Sequence, residues 1–150
     1  MENLFNLDCA EEIKGRLAHL TLEHSRRWGK MNAAEMLAHC SKGLQMAAGE
    51  IRPPRVTIGR FLGPIVKPIA LREGVPMRKN SPTAQVFIIV DAVDFETERK
   101  RLIAQIDRFV AAGPAACTSH PHPFFGRLSP DEWSVLMWKH LDHHLRQFGV

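Results

Sequence analysis

The chain of 150 residues lacks several features that would place it in a specialised class of protein. No apolar run approaches the roughly 20 residues that a membrane-spanning helix needs, so we predict no span and no membrane contact. The first residues, MENLFNLDCAEE, lack a basic stretch followed by an apolar core, and we expect no signal peptide. The three cysteines, Cys9, Cys40 and Cys117, are scattered and form no CxxC pair. This usage indicates a cytoplasmic protein rather than a disulfide scaffold.

The composition is that of one globular domain over residues 1–150, with 45% hydrophobic residues and no internal repeat. The net charge is +4, but the basic residues cluster in segment 51–80, which holds only one acidic residue, Glu73. Such a segment can hold an acidic ligand, or it can be a solvated connector. It lacks the interleaved aromatics that stack on bases, so nucleic-acid binding is not expected. Its positive residues are Arg52, Arg55, Arg60, Lys67, Arg72, Arg78 and Lys79.

Capping signals predict four long helices, over residues 8–20, 32–49, 94–113 and 129–150. Their expected N-caps are Asp8, Asn32, Asp94 and Ser129, and Glu35 and Glu132 would complete capping boxes. Prolines and glycines interrupt residues 49–82, where only VTIGRFLGPIV (56–66) suggests a short helix. The apolar run AQVFIIV (84–90) fits a strand or an extended packed segment. These elements predict an all-α four-helix bundle with a long crossover between its second and third helices.

The last helix carries three histidines with different predicted directions. At about 100° per residue, His140 and His144 lie on the apolar stripe with Trp133 and Met137. His143 falls on the polar edge, and Lys139 is predicted to point outward, together with Asp142 and Arg146. Two histidines at i and i+4 on a buried stripe suit a metal site. The alternative pair, His140 with His143, would point partly outward.

The second helix supplies a third candidate ligand, because His39 borders its apolar sector. Gly43 lies one turn further on the same side, which indicates either close helix packing or space for a metal or ligand. Three neutral imidazoles without an anion would leave open positions on a cation, as catalytic sites do. Imidazoles suit zinc, nickel, iron or copper, and the residues alone do not choose among them. The competing interpretation is that the histidines are core residues.

Other polar residues near this trio have candidate supporting roles. Glu35, one turn before His39, could accept a hydrogen bond from an imidazole N–H. Gln147, one turn past His144, could orient a water or substrate on the metal, or be a buried amide satisfied by backbone. No other residue is a candidate for catalysis, while His143 could support the site from its rim. In the loop before the last helix, His120 and His122 are expected to be structural or exposed.

These motifs carry a resemblance to a known family. A histidine in the setting AEMLAHC and the pattern HxxxHxxQ at His140, His144 and Gln147 resemble the DinB/YfiT-like superfamily of metal-dependent four-helix proteins. The tail HPFFGRLSPDEWSVLMWKHLDHHLRQFGV (122–150) looks like a branch of unknown function. The resemblance implies an up-down-down-up bundle, and zinc or nickel bound by His39, His140 and His144. It also implies a low-molecular-weight thiol as a partner, and a homodimer.

Three functions are compatible with these features. In the first, a metal on the three histidines serves a thiol transferase or hydrolase, and the basic segment 51–80 holds an acidic group of the cosubstrate. In the second, the chain is a non-catalytic metal-binding protein of a stress response. In the third, the histidines only fill the core.

Overall fold

The computed structural model describes residues 1–150 and is all-helical, with five α-helices and no strand. Helices α1, α2, α4 and α5 are the four predicted from the sequence, and α3 lies within the crossover. Short 3-10 turns occupy Gln85–Phe87 and Gly113–Ala116. The α-helices are α1 (Leu7–His19), α2 (Ala33–Ala47), α3 (Thr57–Ala70), α4 (Phe95–Ala112) and α5 (Pro130–Phe148).

The two helices that carry the candidate ligands begin at reciprocal capping boxes, as predicted. The Asn32 side chain accepts the Glu35 backbone N–H, and the Glu35 carboxylate accepts the Asn32 N–H. Ser129 and Glu132 make the same exchange at the start of α5. Each box satisfies two backbone donors that the first helical turn cannot pair. The helix starts therefore follow from local chemistry.

The start of α1 differs from the prediction. Asn6 is the N-cap, and its side chain accepts the backbone N–H groups of Asp8 and Cys9. Asp8 lies within the first turn, where its charge still complements the helix dipole. The expectation that Asp8 caps the helix was wrong, because an equally good capping residue stands two positions earlier.

Helix α3 is longer than the short helix predicted over 56–66, and it continues to Ala70 with Pro64 and Pro68 inside it. Each proline removes a backbone donor, which normally ends a helix. Tertiary contact compensates, because α3 lies against the loop before α5. A Cβ on Gly59 would come within 2.6 Å of the Phe124 Cα. Only glycine permits so close a backbone approach.

The main core forms where α2 packs on α4 and α5, and where α1 packs on the same two helices. Its fully buried side chains include Ile13, Leu37, Ile106 and Trp133. None of the helices is both long and apolar enough to cross a bilayer. Helix α3 packs mainly on the loop at Pro123–Phe125 and leaves its outer face in solvent.

Lys139 does not point into solvent as its position on the α5 wheel predicted. It is buried, and its ammonium donates to the Arg72 carbonyl at 2.8 Å. The chain just after α3 folds back over this face of α5, since Leu71 is also buried. Helical periodicity could not predict the burial of Lys139, because the residues that bury it come from a distant segment of the chain.

Candidate metal centre

The structure brings together the three histidines that the sequence singled out. His39 comes from α2, and His140 and His144 come from successive turns of α5. One nitrogen of each ring lies within 4.8 Å of the others. The Nε2 atoms of His39 and His140 are 3.0 Å apart. Two nitrogens on one tetrahedral zinc, each about 2.0–2.1 Å from it, would be roughly 3.3 Å apart. The observed spacing is close to that of a ligand pair.

Gly43 explains how the ring of His140 fits against α2. A Cβ on Gly43 would lie 3.1 Å from both Cε1 and Nδ1 of His140. That separation is tighter than ordinary van der Waals contact. The mid-helix glycine, which costs about 1 kcal/mol relative to alanine, therefore makes room for the imidazole. Both readings of Gly43 hold in part, because the close packing is against a candidate ligand.

Backbone and amide acceptors orient two of the three rings. The Nδ1 of His39 lies 3.1 Å from the Phe87 carbonyl oxygen, which can only accept, so this nitrogen carries the proton. Gln147 donates its Nε2–H to the Trp28 carbonyl at 2.7 Å, which turns its Oε1 toward His144. That oxygen accepts from the His144 Nδ1 at 2.8 Å. His39 and His144 consequently present Nε2 lone pairs.

Burial keeps these rings uncharged. His39 is 6% exposed and His144 8% exposed. Burial lowers the pKa of His39 below its ordinary value, and it lowers the pKa of His144 to about 3, with a further contribution from His39. The pKa of His140 lies well below 6.5 because of burial and its two histidine neighbours. Neutral imidazoles are the form that binds metals.

His143 and Glu35 stand apart from the trio. The half-buried His143 ring packs 5.1 Å from His144 and 5.4 Å from Trp28, between their centroids. Glu35 makes no hydrogen bond to an imidazole, because its carboxylate serves the capping box of α2. Glu35 was expected to accept a hydrogen bond from an imidazole N–H. The Phe87 carbonyl accepts that bond from His39 instead.

Gln147 is a buried amide satisfied by backbone, which is one of the two roles left open for it, and it also binds His144. It is 2% exposed, and its amide connects His144 to the Trp28 backbone. Gly29, at φ +79°, follows Trp28 and lies directly against the Gln147 amide. The absence of a side chain there lets the loop reach the amide.

The loop histidines lie outside the trio, as expected. The Nδ1 of His122 accepts the backbone N–H groups of Phe124 and Phe125, both at 3.1 Å. Burial, with the nearby Arg55 guanidinium, lowers the pKa of His122 to about 4. His120 is partly buried, with its Nε2 3.4 Å from the Pro53 carbonyl. Both therefore have structural roles in this loop.

Sequence reasoning missed three residues around the trio. Phe87 acts through its carbonyl, so its side-chain type carried no signal. Trp28 lies in the connection between α1 and α2, and it too acts through its carbonyl, which accepts from Gln147. Lys79 places its ammonium 4.3 Å from the centre of the Trp28 ring. The basic composition of residues 51–80 was the one available signal for Lys79.

A sequence profile for a family of proteins of unknown function, DUF1569, matches residues 4–149. The chain belongs to this family. No curated protein and no solved structure shows significant similarity to this chain. Membership of DUF1569 therefore brings no assigned activity.

The geometry of this DUF1569 protein fits a divalent cation. The Nε2 lone pairs of His39 and His144 are oriented because an acceptor binds the Nδ1–H on the far side of each of these two rings. His140 completes a set of three nitrogens. A three-histidine set without a carboxylate suits zinc or another late transition metal better than magnesium or calcium. With three protein ligands, a four-coordinate cation would keep one position for another molecule.

Proposed function

We propose that this protein binds one divalent metal ion, zinc or nickel, through His39, His140 and His144, and that the metal serves a thiol transferase or hydrolase reaction. The observation that carries the metal site is the orientation of two buried neutral imidazoles by Phe87 and Gln147. A histidine that only filled the core would also satisfy its outer nitrogen, but it would not need its inner nitrogen to face two other imidazole nitrogens.

We also propose that this DUF1569 chain is a branch of the DinB/YfiT-like superfamily. Helices α1, α4, α2 and α5 contact one another in a closed ring, which is compatible with a four-helix bundle of up-down-down-up direction. Residues 48–94 would then be its long crossover. The position of the three histidines on α2 and α5 supports the same assignment.

The chemistry would combine an electrophilic centre with an oriented substrate. When bound, a divalent cation supplies a Lewis acid that lowers the pKa of a water or thiol ligand. Gln147 holds His144, and the loop at Trp28 holds Gln147, so the ligand geometry is set before substrate arrives. Such preorganisation reduces the free-energy cost of reaching the reactive arrangement.

A substrate with an acidic group fits the rim of the site. Of the basic residues in segment 51–80, Lys79 is the one seen beside Trp28, which in turn packs on His143. Lys79 makes no ion pair with an acidic residue. Its ammonium is therefore free to bind a carboxylate or phosphate of a small thiol.

One observation favours the alternative, a non-catalytic metal-binding stress-response protein. His39 and His144 are almost fully buried, and two surface pockets, one between α2 and α4 and one beside Cys117, are lined by none of the three imidazoles. A substrate would need space beside these rings. A metal ion would not need such space, because it replaces the shared proton between the rings.

Elemental analysis tests the metal site. The purified protein should hold one metal per chain, and His39→Ala, His140→Ala and His144→Ala should each lose most of it. His19→Ala, an exposed histidine on α1, is the matched control and should keep the metal. His143→Ala should also keep it, whereas a loss there but not in His144→Ala would favour the outward pair.

A thiol titration separates the two functions. The cobalt-substituted protein should change its visible absorption when a small anionic thiol such as mercaptosuccinate enters the coordination sphere. A neutral thiol should bind more weakly, and Lys79→Met should remove that preference. A cobalt protein whose spectrum changes with neither the anionic nor the neutral thiol would support the non-catalytic alternative.

A further inference from the structure

Helix α3 presents a row of large apolar side chains to solvent. Five of them are between 43% and 75% exposed, which is unusual for one face of a 14-residue helix. Apolar residues scattered singly on a surface need no explanation, but a contiguous patch marks an interaction site. The five are Ile58, Phe61, Leu62, Ile65 and Ile69.

The helix is held with this face outward by specific contacts. Its inner side carries Gly59 and Gly63, which lie against the backbone of Phe124 and Phe125. Arg55 donates to the Gly59 carbonyl, and Lys67 pairs with Glu132 of α5 at 2.8 Å. An amphipathic helix normally buries its large residues and exposes its small or polar ones. In α3 the large apolar residues are exposed and the glycines are buried. The contacts of Arg55 and Lys67 hold the helix in this orientation.

The exposed face contains no charged residue. At about 100° per residue the five side chains span roughly one third of the helix circumference. Arg60 and Lys67 both lie on the far side, behind the apolar row. Two copies could pair these faces without placing like charges together.

The size of the patch fits a second copy of the chain. If a large apolar side chain presents roughly 200 Å² when free, the five exposed fractions amount to roughly 600 Å² per copy. Two faces in contact would bury at most roughly 1,200 Å² from these side chains, the lower end of the range for specific interfaces. We infer that the outer face of α3 is the self-association surface of a two-fold homodimer. This inference stands independently of the metal site.

Sedimentation velocity of the full chain tests the interface. The wild-type protein should sediment at twice its 17.0 kDa mass at micromolar concentration. Phe61→Glu should sediment as a monomer, because a two-fold contact would desolvate two new charges. Ile65→Lys, with the opposite charge, should do the same. Leu22→Glu is the matched control: Leu22 is similarly exposed but lies outside α3, and its variant should remain a dimer.

Helical circular dichroism and metal content should match the wild type in all three variants, since the replaced side chains are exposed. A wild-type protein that stays monomeric overturns the inference, as does a dimer that Phe61→Glu and Ile65→Lys leave intact. Co-sedimentation with phosphatidylglycerol vesicles tests whether the face binds lipid. A monomer that binds those vesicles through Phe61 would assign the face to lipid instead.

Discussion

The Nε2 atoms of His39 and His140 lie 3.0 Å apart, and only one proton can stand between them. Since Nδ1 of His39 carries that ring's proton toward Phe87, the shared proton belongs to His140. A cation that takes its place requires His140 to move its proton to Nδ1, which faces Gly43. Metal binding and the tautomer of His140 are therefore linked.

Metal should stabilise the fold. Because the cation binds the folded site and not the dispersed histidines, zinc at 100 times its Kd should raise the free energy of unfolding by about 2.7 kcal/mol. Urea unfolding measures this gain when metal-free protein, stripped with a chelator that is then removed, is compared with and without added zinc. His39→Ala should lose the effect and His19→Ala should retain it. Identical unfolding curves with and without metal would mean that the histidines are core residues only.

Gln147→Leu should weaken metal binding by about 10–100-fold, the usual effect of losing a residue that orients a ligand. The change removes the acceptor for His144 Nδ1 and the donor to the Trp28 carbonyl. A competition titration against a chromophoric chelator measures the affinity. Gln45→Leu makes the same chemical change on α2, where the side chain has no hydrogen bond, and should bind metal as the wild type does. Equal affinities in both variants would contradict an orienting role.

Gly43→Ala and Gly15→Ala should have different effects. Gly15, on α1, has open space around it, so alanine there should raise the free energy of unfolding by about 1 kcal/mol. The same gain at Gly43 is opposed by contact with His140, whose ring must shift by a few tenths of an ångström. Gly43→Ala should therefore be less stable than Gly15→Ala and bind metal more weakly. Urea unfolding and the chelator titration measure both, and matching results for the two variants would rule out a role in seating His140.

His122 should make stability fall in mild acid. Its pKa is about 4 in the fold against an ordinary 6.5, so between these values the unfolded chain binds a proton that the folded chain does not. The free energy of unfolding therefore decreases as pH falls from 6.5 to 4, by roughly 3 kcal/mol in total for this group.

His122→Asn isolates this contribution, because its amide oxygen can still accept the two backbone N–H groups without titrating. Urea unfolding of both proteins at pH 7 and pH 4.5, with chelator present, gives the comparison. The variant should lose less stability between the two pH values. Parallel losses would show that His122 does not titrate in this range.

The features that the sequence predicted well are those set by residues close together along the chain. The capping boxes of Asn32 and Ser129 involve partners three positions away, so the helix starts could be read directly. The i, i+4 spacing of His140 and His144 is likewise local, and burial of the stripe followed from its apolar neighbours. The trio then required only that α2 place His39 on its inward face, which its apolar sector also predicted.

The features that escaped prediction depend on distant segments. Lys139 is buried because the chain near Arg72 folds over α5, which no helical wheel contains. Helix α3 passes through two prolines because Gly59 and Gly63 seat it on a loop about 60 residues later. Phe87 orients His39 through a backbone carbonyl, and every residue type has one.

The positions of His39 and His140 in the chain have a mechanical consequence. They are 101 residues apart in sequence, so one ion bound to both closes most of the protein into a loop. Chain-entropy estimates for a covalent cross-link of about 100 residues assign it about 4.7 kcal/mol. The metal would act as a reversible cross-link across two thirds of the polypeptide, and its removal would raise the fraction of molecules that are unfolded and open to proteolysis.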